Sequence, residues 1–174
     1  MGRQSVIIED SPQSIVIDAT ALIDFLGSER SILHLISKHL GKLHVTRPVF
    51  EEVADLHKSQ CEPLGITIVD LTLAQYQEAD SLVDGLSFED CTCFVLARDN
   101  EWGCITNDKR LRSECCRHGI DCLWGLETIA KLVQNLALTP TKAYTIGKTI
   151  CQLNPFIKQG TFEDFCKLIG IDPC

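Results

Sequence analysis

The sequence predicts an α/β protein of three layers, in which a parallel sheet of about five strands is covered by helices on both faces. Short apolar runs rich in β-branched residues alternate along the chain with longer segments of helical period. Each gap between successive runs has room for at least one helix, as a crossover between parallel strands requires. The 174 residues, of which 45% are hydrophobic, suffice for one buried core and are too few for two full domains.

Five apolar runs are the predicted strands. They are residues 14–18 (SIVID), 43–46 (LHVT), 66–69 (ITIV), 103–106 (GCIT) and 121–124 (DCLW). In an open parallel sheet, ligands bind in the crevice outside the carboxyl ends of the strands. We therefore expect functional side chains to follow these runs.

Capping signals mark the helices between the strands. Pro48 fits a first helical turn, and Ser87 followed by Asp90 has the spacing of a capping box. His118 and Gly119 end a helix with a cation and a residue suited to the left-handed conformation.

The last part of the chain has a different character. Residues 138–174 predict two short helices, separated by Asn154-Pro155 and Gly160. We interpret this part as a helical extension packed on the domain formed by residues 14–137, and not as a second domain.

Charge and hydropathy narrow the function classes. The 24 acidic and 16 basic residues give a formal charge of −8, which argues against a broad electrostatic grip on a nucleic-acid backbone. The opening MGRQSVIIEDSPQS lacks the apolar run of a signal peptide, and no stretch approaches the roughly 18 apolar residues of a membrane span. The sequence therefore predicts a cytoplasmic protein with no membrane partner.

The ten cysteines contain no C-x-x-C pair, and most of them lie among apolar residues, as in CTCFVLA and GCIT. A reduced cysteine in such surroundings behaves as a small hydrophobic residue. The spacing therefore indicates neither a zinc site nor a disulfide scaffold.

Two carboxylates follow predicted strands. Asp18 comes directly after an apolar run, with the hydroxyl of Thr20 two residues later, and Asp108 comes after residues 103–106 and opens a basic helix. The competing explanation for each is an ordinary helix N-cap, and Asn107 is as suitable a cap as Asp108.

Glu52 is a third candidate, in the segment PVFEEVADL. If this segment is one helix, Val49, Val53 and Leu56 share a face, with Glu52 about 70° from its centre and Glu51 nearly opposite. We therefore expect Glu52 to turn inward and Glu51 to face solvent. A partner for Glu52 would be a metal ion, a nearby arginine or a backbone donor.

Asp90 is the fourth candidate, because it begins a helix so apolar over residues 91–97 that most of its sides must be buried. The capping box with Ser87 explains the same residue without a function. Together, however, the four acids are placed so that one crevice could collect them, and four charges that close could not all stay ionised without a cation. Ligand sets made only of oxygen favour hard ions such as Mg²⁺ or Mn²⁺.

Three segments resemble the PIN domains, a family that includes the VapC-like toxin ribonucleases of bacterial toxin–antitoxin pairs. IVIDATALIDFLG is similar to the family's opening strand, VTRPVFEEV to its strand-to-helix segment with a glutamate, and LSFEDCTCFVLARDNEWGCITNDKRLR to its buried helix, T-x-D strand end and basic helix. The similarity covers roughly residues 14 to 136. Asn107 stands where many relatives have a second Asp, and Cys91 and Cys93 stand where small alanines are usual.

The resemblance implies an Mg²⁺- or Mn²⁺-dependent endoribonuclease that uses one or two ions and leaves 5′-phosphate and 3′-hydroxyl ends. It implies that Asp18, Glu52, Asp90 and Asp108 bind the metal and that Thr20 and Thr106 are supporting hydroxyls. An RNA substrate, an antitoxin protein and a homodimer are the expected partners.

An acidic nuclease still needs a local basic surface. Lys109, Arg110 and Arg112, with Arg117 and His118 further along the same helix, are the RNA-binding candidates, and a solvated helix face is the competing explanation. Trp102 and Trp124 are suited to stacking on bases, but packing at strand ends accounts for them better.

Two rival functions are weighed against the nuclease. A phosphotransferase with Asp18 as its nucleophile would need a second aspartate where Thr20 stands. A catalytically inactive PIN-like module that binds RNA or protein is the main alternative, although its usual mark, a missing acid, is not present.

Overall fold

The computed structural model describes residues 14–172. Its five strands are β1 Ser14–Ile17, β2 Lys42–Thr46, β3 Ile66–Val69, β4 Gly103–Ile105 and β5 Cys122–Leu123. They form one sheet in the order β3-β2-β1-β4-β5, and every pair is parallel. The predicted α/β class and five-stranded parallel sheet are confirmed, because each predicted run overlaps one strand.

Helices cover both faces of this sheet in a three-layer arrangement. Within the described residues they are α1 Ala19–Ser28, α2 Ser31–His39, α3 Arg47–Glu52, α4 Lys58–Cys61, α5 Leu73–Ser81, α6 Phe88–Asn100, α7 Lys109–Arg117, α8 Gly125–Gln134, α9 Pro140–Leu153 and α10 Gln159–Leu168. Helix α6 packs on β1, β2 and β4 and also contacts α5 and α7. Helix α2 packs on β2 and β3 and also contacts α8. Helix α8 in turn contacts α1, α9 and α10.

The strand order reverses direction at β1. From β1 the chain proceeds to β2 and β3 on one side, and then crosses back to add β4 and β5 on the other. Strands β1 and β4 are therefore neighbours, with Ile17 aligned to Ile105, and Asp18 N donates to Ile105 O at 3.0 Å. A crevice outside the carboxyl ends of the strands is expected at such a reversal.

Local sequence explains where the helices around this crevice begin. The side chain of Thr46 caps α3, whose first turn contains Pro48, and Ser87 caps α6 by accepting from Asp90 N. Asp108, and not Asn107, caps α7. Helix α7 ends at Arg117, and Gly119 follows with a φ of 71°, as the His-Gly signal predicts.

The core lies between the sheet and the two helical layers. Residues 91–97 of α6 are all buried, as their apolar character predicts, and Phe25, Phe94 and Leu111 are among the largest buried side chains. Full burial of a large apolar side chain contributes roughly 1.5–3 kcal/mol. Helix α6 is therefore held tightly against the sheet, which fixes the position of its first turn.

The two C-terminal helices pack on the same body. Helix α9 contacts α1 and α8, and α10 contacts α8 and α9. Ile146, Ile150 and Phe165 are buried there, and a Cβ added to Gly147 would lie 2.3 Å from Phe165 Cε1. Across residues 14–172, no helix combines the length and the apolar character needed to cross a membrane.

Candidate functional site

Asp18 lies at the carboxyl end of β1 and is fully buried. Its Oδ1 accepts from Ala21 N at 2.9 Å, which caps α1. Thr20 Oγ1 lies 2.7 Å from Asp18 Oδ2, and Thr106 Oγ1 donates to the same oxygen. The capping explanation for Asp18 is therefore correct, and it occupies only part of the hydrogen-bonding capacity of the carboxylate.

The two threonines connect Asp18 to the loop between β4 and α7. Asn107 N donates to Thr20 Oγ1 at 3.2 Å, and Asp108 N donates to Thr106 Oγ1 at 2.9 Å. Because an ionised carboxylate can only accept hydrogen bonds, each hydroxyl donates its own proton to Asp18 while its oxygen accepts the backbone N–H. This arrangement favours the ionised carboxylate and places the hydroxyls of both threonines against Asp18.

Burial nevertheless raises the pKa of Asp18 to about 6. The hydrogen bonds from Thr106, Ala21 N and Thr20 lower this pKa, and the negative charge of Asp90 raises it. Asp18 therefore remains mainly ionised at neutral pH, but at a cost that a nearby cation would relieve.

Asp90 lies in the first turn of α6 and is half-buried. Burial is the largest cause that raises its pKa, and the charges of Asp108 and Glu89 raise it further, whereas hydrogen bonds from Ser87 lower it. The capping arrangement with Ser87 and the electrostatic contact with other acids thus coexist in one residue.

Asp108 is half-buried at the start of α7. Its Oδ1 accepts from Arg110 N and Leu111 N, both at 2.8 Å. One carboxylate oxygen is therefore committed to the helix, and Oδ2 has no hydrogen-bond partner among the described residues.

The prediction that Glu52 turns inward is wrong, because Glu51 and Glu52 are both exposed. Helix α3 ends at Glu52, and the backbone of Val53 is extended (φ −86°, ψ 96°), so the segment PVFEEVADL does not form one continuous helical face. The two glutamates still differ in their surroundings. The pKa of Glu52 is raised by partial burial and by the charges of Glu89 and Asp90. The charge of Glu51 instead helps to raise the pKa of Arg47.

Arg47 is not the partner of Glu52. Its Nε and Nη2 donate to the two carboxylate oxygens of Asp70, with a distance of 2.9 Å for Nη2. The arginine alternative for Glu52 is therefore removed.

The four acids form one electrostatic group. The charge of Asp90 raises the pKa of both Asp18 and Glu52, and the charge of Asp108 raises that of Asp90. None of the ion pairs formed within residues 14–172 includes any of the four. Their charges are therefore not neutralised by a lysine, arginine or histidine in the described part of the chain.

The ligand atoms of the four acids are not closely clustered. Within residues 14–172, the only set of three potential ligand atoms that all lie within 4.8 Å of one another is the cysteine set Cys104, Cys115 and Cys122. The four acids therefore do not form a compact set of three ligand atoms within the described residues.

Asp24 and Asn154, which sequence reasoning missed, form a hydrogen-bonded group with Asn107 beside this site. Asp24 on α1 is buried, and its Oδ2 accepts from Asn107 Nδ2 at 2.7 Å and from Asn154 Nδ2 at 3.0 Å. Burial raises the pKa of Asp24, and the two amides lower it. Asn107 Oδ1 also accepts from Gly125 N at 2.9 Å. No local pattern could have revealed the group, because its members lie far apart in the sequence.

Two basic residues, Lys109 and Arg110, directly follow Asp108 in the first turn of α7. Both are exposed, and Arg110 Nη1 donates to Gly85 O at 2.8 Å. A cleft of about 630 Å³ continues from there between α7 and the residues before α6. Its lining includes Leu86, Phe94, Arg110, Glu114 and Arg117, and none of the four acids.

The half-buried side chain of Arg112 is held by contacts with other residues of the protein. Its guanidinium lies 4.6 Å from the centre of the Trp124 ring, and its Nη1 donates to Cys122 O at 3.0 Å. Trp102 stacks on His44 at 4.1 Å between ring centres. The packing explanation for the two tryptophans therefore agrees with their contacts, and Arg112 is less accessible than Lys109 or Arg110.

A scan against models of protein families and a search of curated proteins gave no match to this sequence.

Proposed function

We propose that the protein is a metal-dependent endoribonuclease of the PIN-domain kind, which hydrolyses RNA phosphodiester bonds at Asp18, Glu52, Asp90 and Asp108. The observation that carries the proposal is that Asp90 is electrostatically coupled to each of the other three acids, with no cationic side chain paired to any of the four in residues 14–172. Carboxylates held together in this way are suited to one or two Mg²⁺ or Mn²⁺ ions.

A bound divalent ion supplies polarisation of the scissile phosphate and a lower pKa for the attacking water. The protein's own part is to hold the ligands. Thr20 and Thr106 orient the carboxylate of Asp18, the Ser87 cap fixes the first turn that carries Asp90, and the α7 cap leaves one oxygen of Asp108 available.

The RNA strand would be held by Lys109 and Arg110, two exposed cations that directly follow Asp108. A local contact of this kind is compatible with a chain whose formal charge is −8. Arg112 would contribute indirectly, because its guanidinium packs on Trp124.

The direct test incubates the full chain with mixed RNAs and Mg²⁺ or Mn²⁺. We expect cleavage to stop with EDTA, to return with excess metal, and to leave 5′-phosphate and 3′-hydroxyl ends. Asp90→Asn should lower the rate by more than about 100-fold, since removal of a ligand should cost more than the roughly 10–100-fold lost with outer partners. Asp80→Asn, which alters an exposed carboxylate on α5, is the matched control and should retain the rate.

The alternative is a catalytically inactive PIN-like module that binds RNA or protein. Its support is that Asp18 and Asp108 already act as helix caps and that the acids do not form a closed set of ligands. RNA binding without cleavage in either metal would favour this module over the nuclease.

A toxin controlled by an antitoxin, a homodimer and a cytoplasmic location complete the proposal. A small open reading frame directly upstream that encodes a DNA-binding protein would support the antitoxin. Light scattering on the purified chain would report the oligomeric state.

A further inference from the structure

Three cysteines from different elements meet beside the sheet. Cys104 lies on β4, Cys115 on α7 and Cys122 on β5, and their sulfur atoms all lie within 4.8 Å of one another. The spacing in the sequence suggested small core residues, and it did not indicate that these three sulfurs would be neighbours.

The elements that carry these cysteines are firmly placed. Cys104 and Cys122 are aligned partners in the parallel pair of β4 and β5. Helix α7 packs on β5, with Leu111 and Cys115 buried on its inner side. The sulfurs are therefore held by secondary structure and not by loops.

The spacing suits a metal ion bound by three sulfurs. Metal–sulfur bonds in zinc sites are about 2.3 Å long, so a trigonal arrangement places the sulfurs about 4 Å apart. A set of three sulfurs that already lie within 4.8 Å needs only small adjustments to reach that geometry.

A positive charge lies beside this cluster. Arg112 Nη1 donates to Cys122 O at 3.0 Å, which holds the guanidinium next to the strand that carries Cys122. A neighbouring arginine favours the thiolate form of a cysteine, which is the form that binds a metal.

We propose that Cys104, Cys115 and Cys122 bind one soft metal ion, such as Zn²⁺ or Cu⁺, as three thiolates. Thiolate ligands select this class of ion, whereas carboxylates select Mg²⁺ and Mn²⁺. Binding forms three metal–sulfur bonds, and the protons of the three thiols pass to the solvent. The site is independent of the proposed nuclease chemistry.

The ion can enter from the edge of the sheet. Strand β5 is the last strand on its side, and Cys122 is only half-buried, whereas Cys104 and Cys115 are buried. Zn²⁺ or Cu⁺ bound there would link β4, β5 and α7, and it would stabilise the folded protein in proportion to its affinity.

The test uses reduced, full-length protein in which Cys116 and Cys174 are replaced by serine, because Cys116 is exposed and Cys174 lies outside the described residues. Cd²⁺ is the probe, since its bonds to thiolates absorb in the ultraviolet. We expect one Cd²⁺ per chain, a raised melting temperature, competition by Zn²⁺ and no effect of Mg²⁺.

Cys122→Ser in this background should weaken Cd²⁺ binding by at least about tenfold. Cys151→Ser is the matched control, because Cys151 is also half-buried but lies on α9, and it should bind as the background does. Equal affinities in the two variants, or no Cd²⁺ binding by the reduced background, would overturn the proposal.

A second measurement needs no cluster variant and covers the case in which Cys122→Ser does not fold. Alkylation followed by peptide mass spectrometry, with and without Cd²⁺, locates the protected thiols. Protection of Cys104, Cys115 and Cys122 together is the expected result. Protection confined to other cysteines, or a Cys104–Cys122 disulfide that persists under the reducing conditions, would contradict the site.

Discussion

At Asp18, one carboxylate serves the fold and the proposed chemistry together. It caps α1 by accepting a hydrogen bond from Ala21 N, and it also accepts hydrogen bonds from the hydroxyls of Thr20 and Thr106. Because the residue is fully buried, its charge is unfavourable in the absence of a cation. Removal of this charge should therefore weaken metal binding but improve the stability of the metal-free protein near neutral pH.

The first prediction concerns the pH dependence of stability. The folded-state pKa of Asp18 is about 6, above the ordinary value of 3.8. The folded state thus binds more protons than the unfolded state between these values, so this group's contribution to stability falls as pH rises through that window. The loss amounts to about 2 kcal/mol between pH 4 and pH 7.

Urea unfolding of metal-free wild type and Asp18→Asn at pH 4, 5, 6 and 7 measures this effect. The stability of the variant relative to wild type should increase with pH, even if the variant starts lower because asparagine accepts fewer hydrogen bonds. A constant difference across the four pH values would show that the carboxylate is not strained in the folded state.

A second prediction separates the two roles of Asp108. Asp108→Asn keeps an oxygen for Arg110 N and Leu111 N, and asparagine is as good a cap as aspartate. Asp108→Ala removes the cap and should lower the free energy of unfolding by about 1 kcal/mol. We expect both variants to lose metal-dependent cleavage in the RNA assay, and only the alanine variant to show a lower free energy of unfolding by denaturant.

Single residues also mark the limit of prediction from sequence. Asp18 and Asp108 could be placed because a strand end is a local feature. The exposed position of Glu52 could not be predicted, because the helical-face argument assumed a helix that continues past the point where Val53 becomes extended. The pairing of Asp24 with Asn107 and Asn154 depends on contacts between distant parts of the chain.

At the scale of elements, Asn107 joins the loop between β4 and α7 to two helices, α1 and α8. Its amide nitrogen donates to Asp24 on α1, its amide oxygen accepts from Gly125 at the start of α8, and its backbone N–H donates to Thr20. A change at this residue should therefore affect how α1 and α8 are held beside the candidate site.

The third prediction is that Asn107→Asp destabilises the protein in a pH-dependent way. The new carboxylate would lie beside Asp24, whose oxygen is 2.7 Å from Asn107 Nδ2. Two adjacent carboxylates raise each other's pKa, so the variant should lose about 1–3 kcal/mol at pH 7 and recover part of it near pH 4.

Asn107→Ala is the matched control for this experiment. It removes the amide hydrogen bonds without adding charge, so its stability relative to wild type should change less between pH 4 and pH 7 than that of Asn107→Asp. Parallel pH profiles for the two variants, measured by denaturant unfolding, would refute the electrostatic explanation.

The strand order was less accessible to prediction than the strands themselves. The alternation of short apolar runs with helical segments identified all five strands and their parallel direction. It does not specify that β1 lies between β2 and β4. That order brings the ends of β1 and β4 together and places Thr106 beside Asp18. The same order brings Cys104 next to Cys122, which explains why the cysteine cluster was not found from the spacing.

At the scale of the whole molecule, the C-terminal helices form part of one packed body. Helix α9 lies against α1, the helix that Asp18 caps, and Asn154 at its end donates to Asp24. Ile146, Ile150 and Phe165 are buried at these contacts. The extension thus contacts the helix that begins at Asp18, although it supplies none of the four acids.

The fourth prediction is that residues 1–137 alone do not form a stable fold. Each of the three buried side chains contributes roughly 1.5–3 kcal/mol, and their sum is comparable with the roughly 5–15 kcal/mol that stabilises a typical domain. Deletion of residues 138–174 should therefore lower the melting temperature strongly or give insoluble protein. The full-length variant Phe156→Ala is the control, because Phe156 is 90% exposed and its loss should leave the melting temperature nearly unchanged. If residues 1–137 unfolded cooperatively at the wild-type temperature, the packing of α9 and α10 would not be a source of stability for the domain.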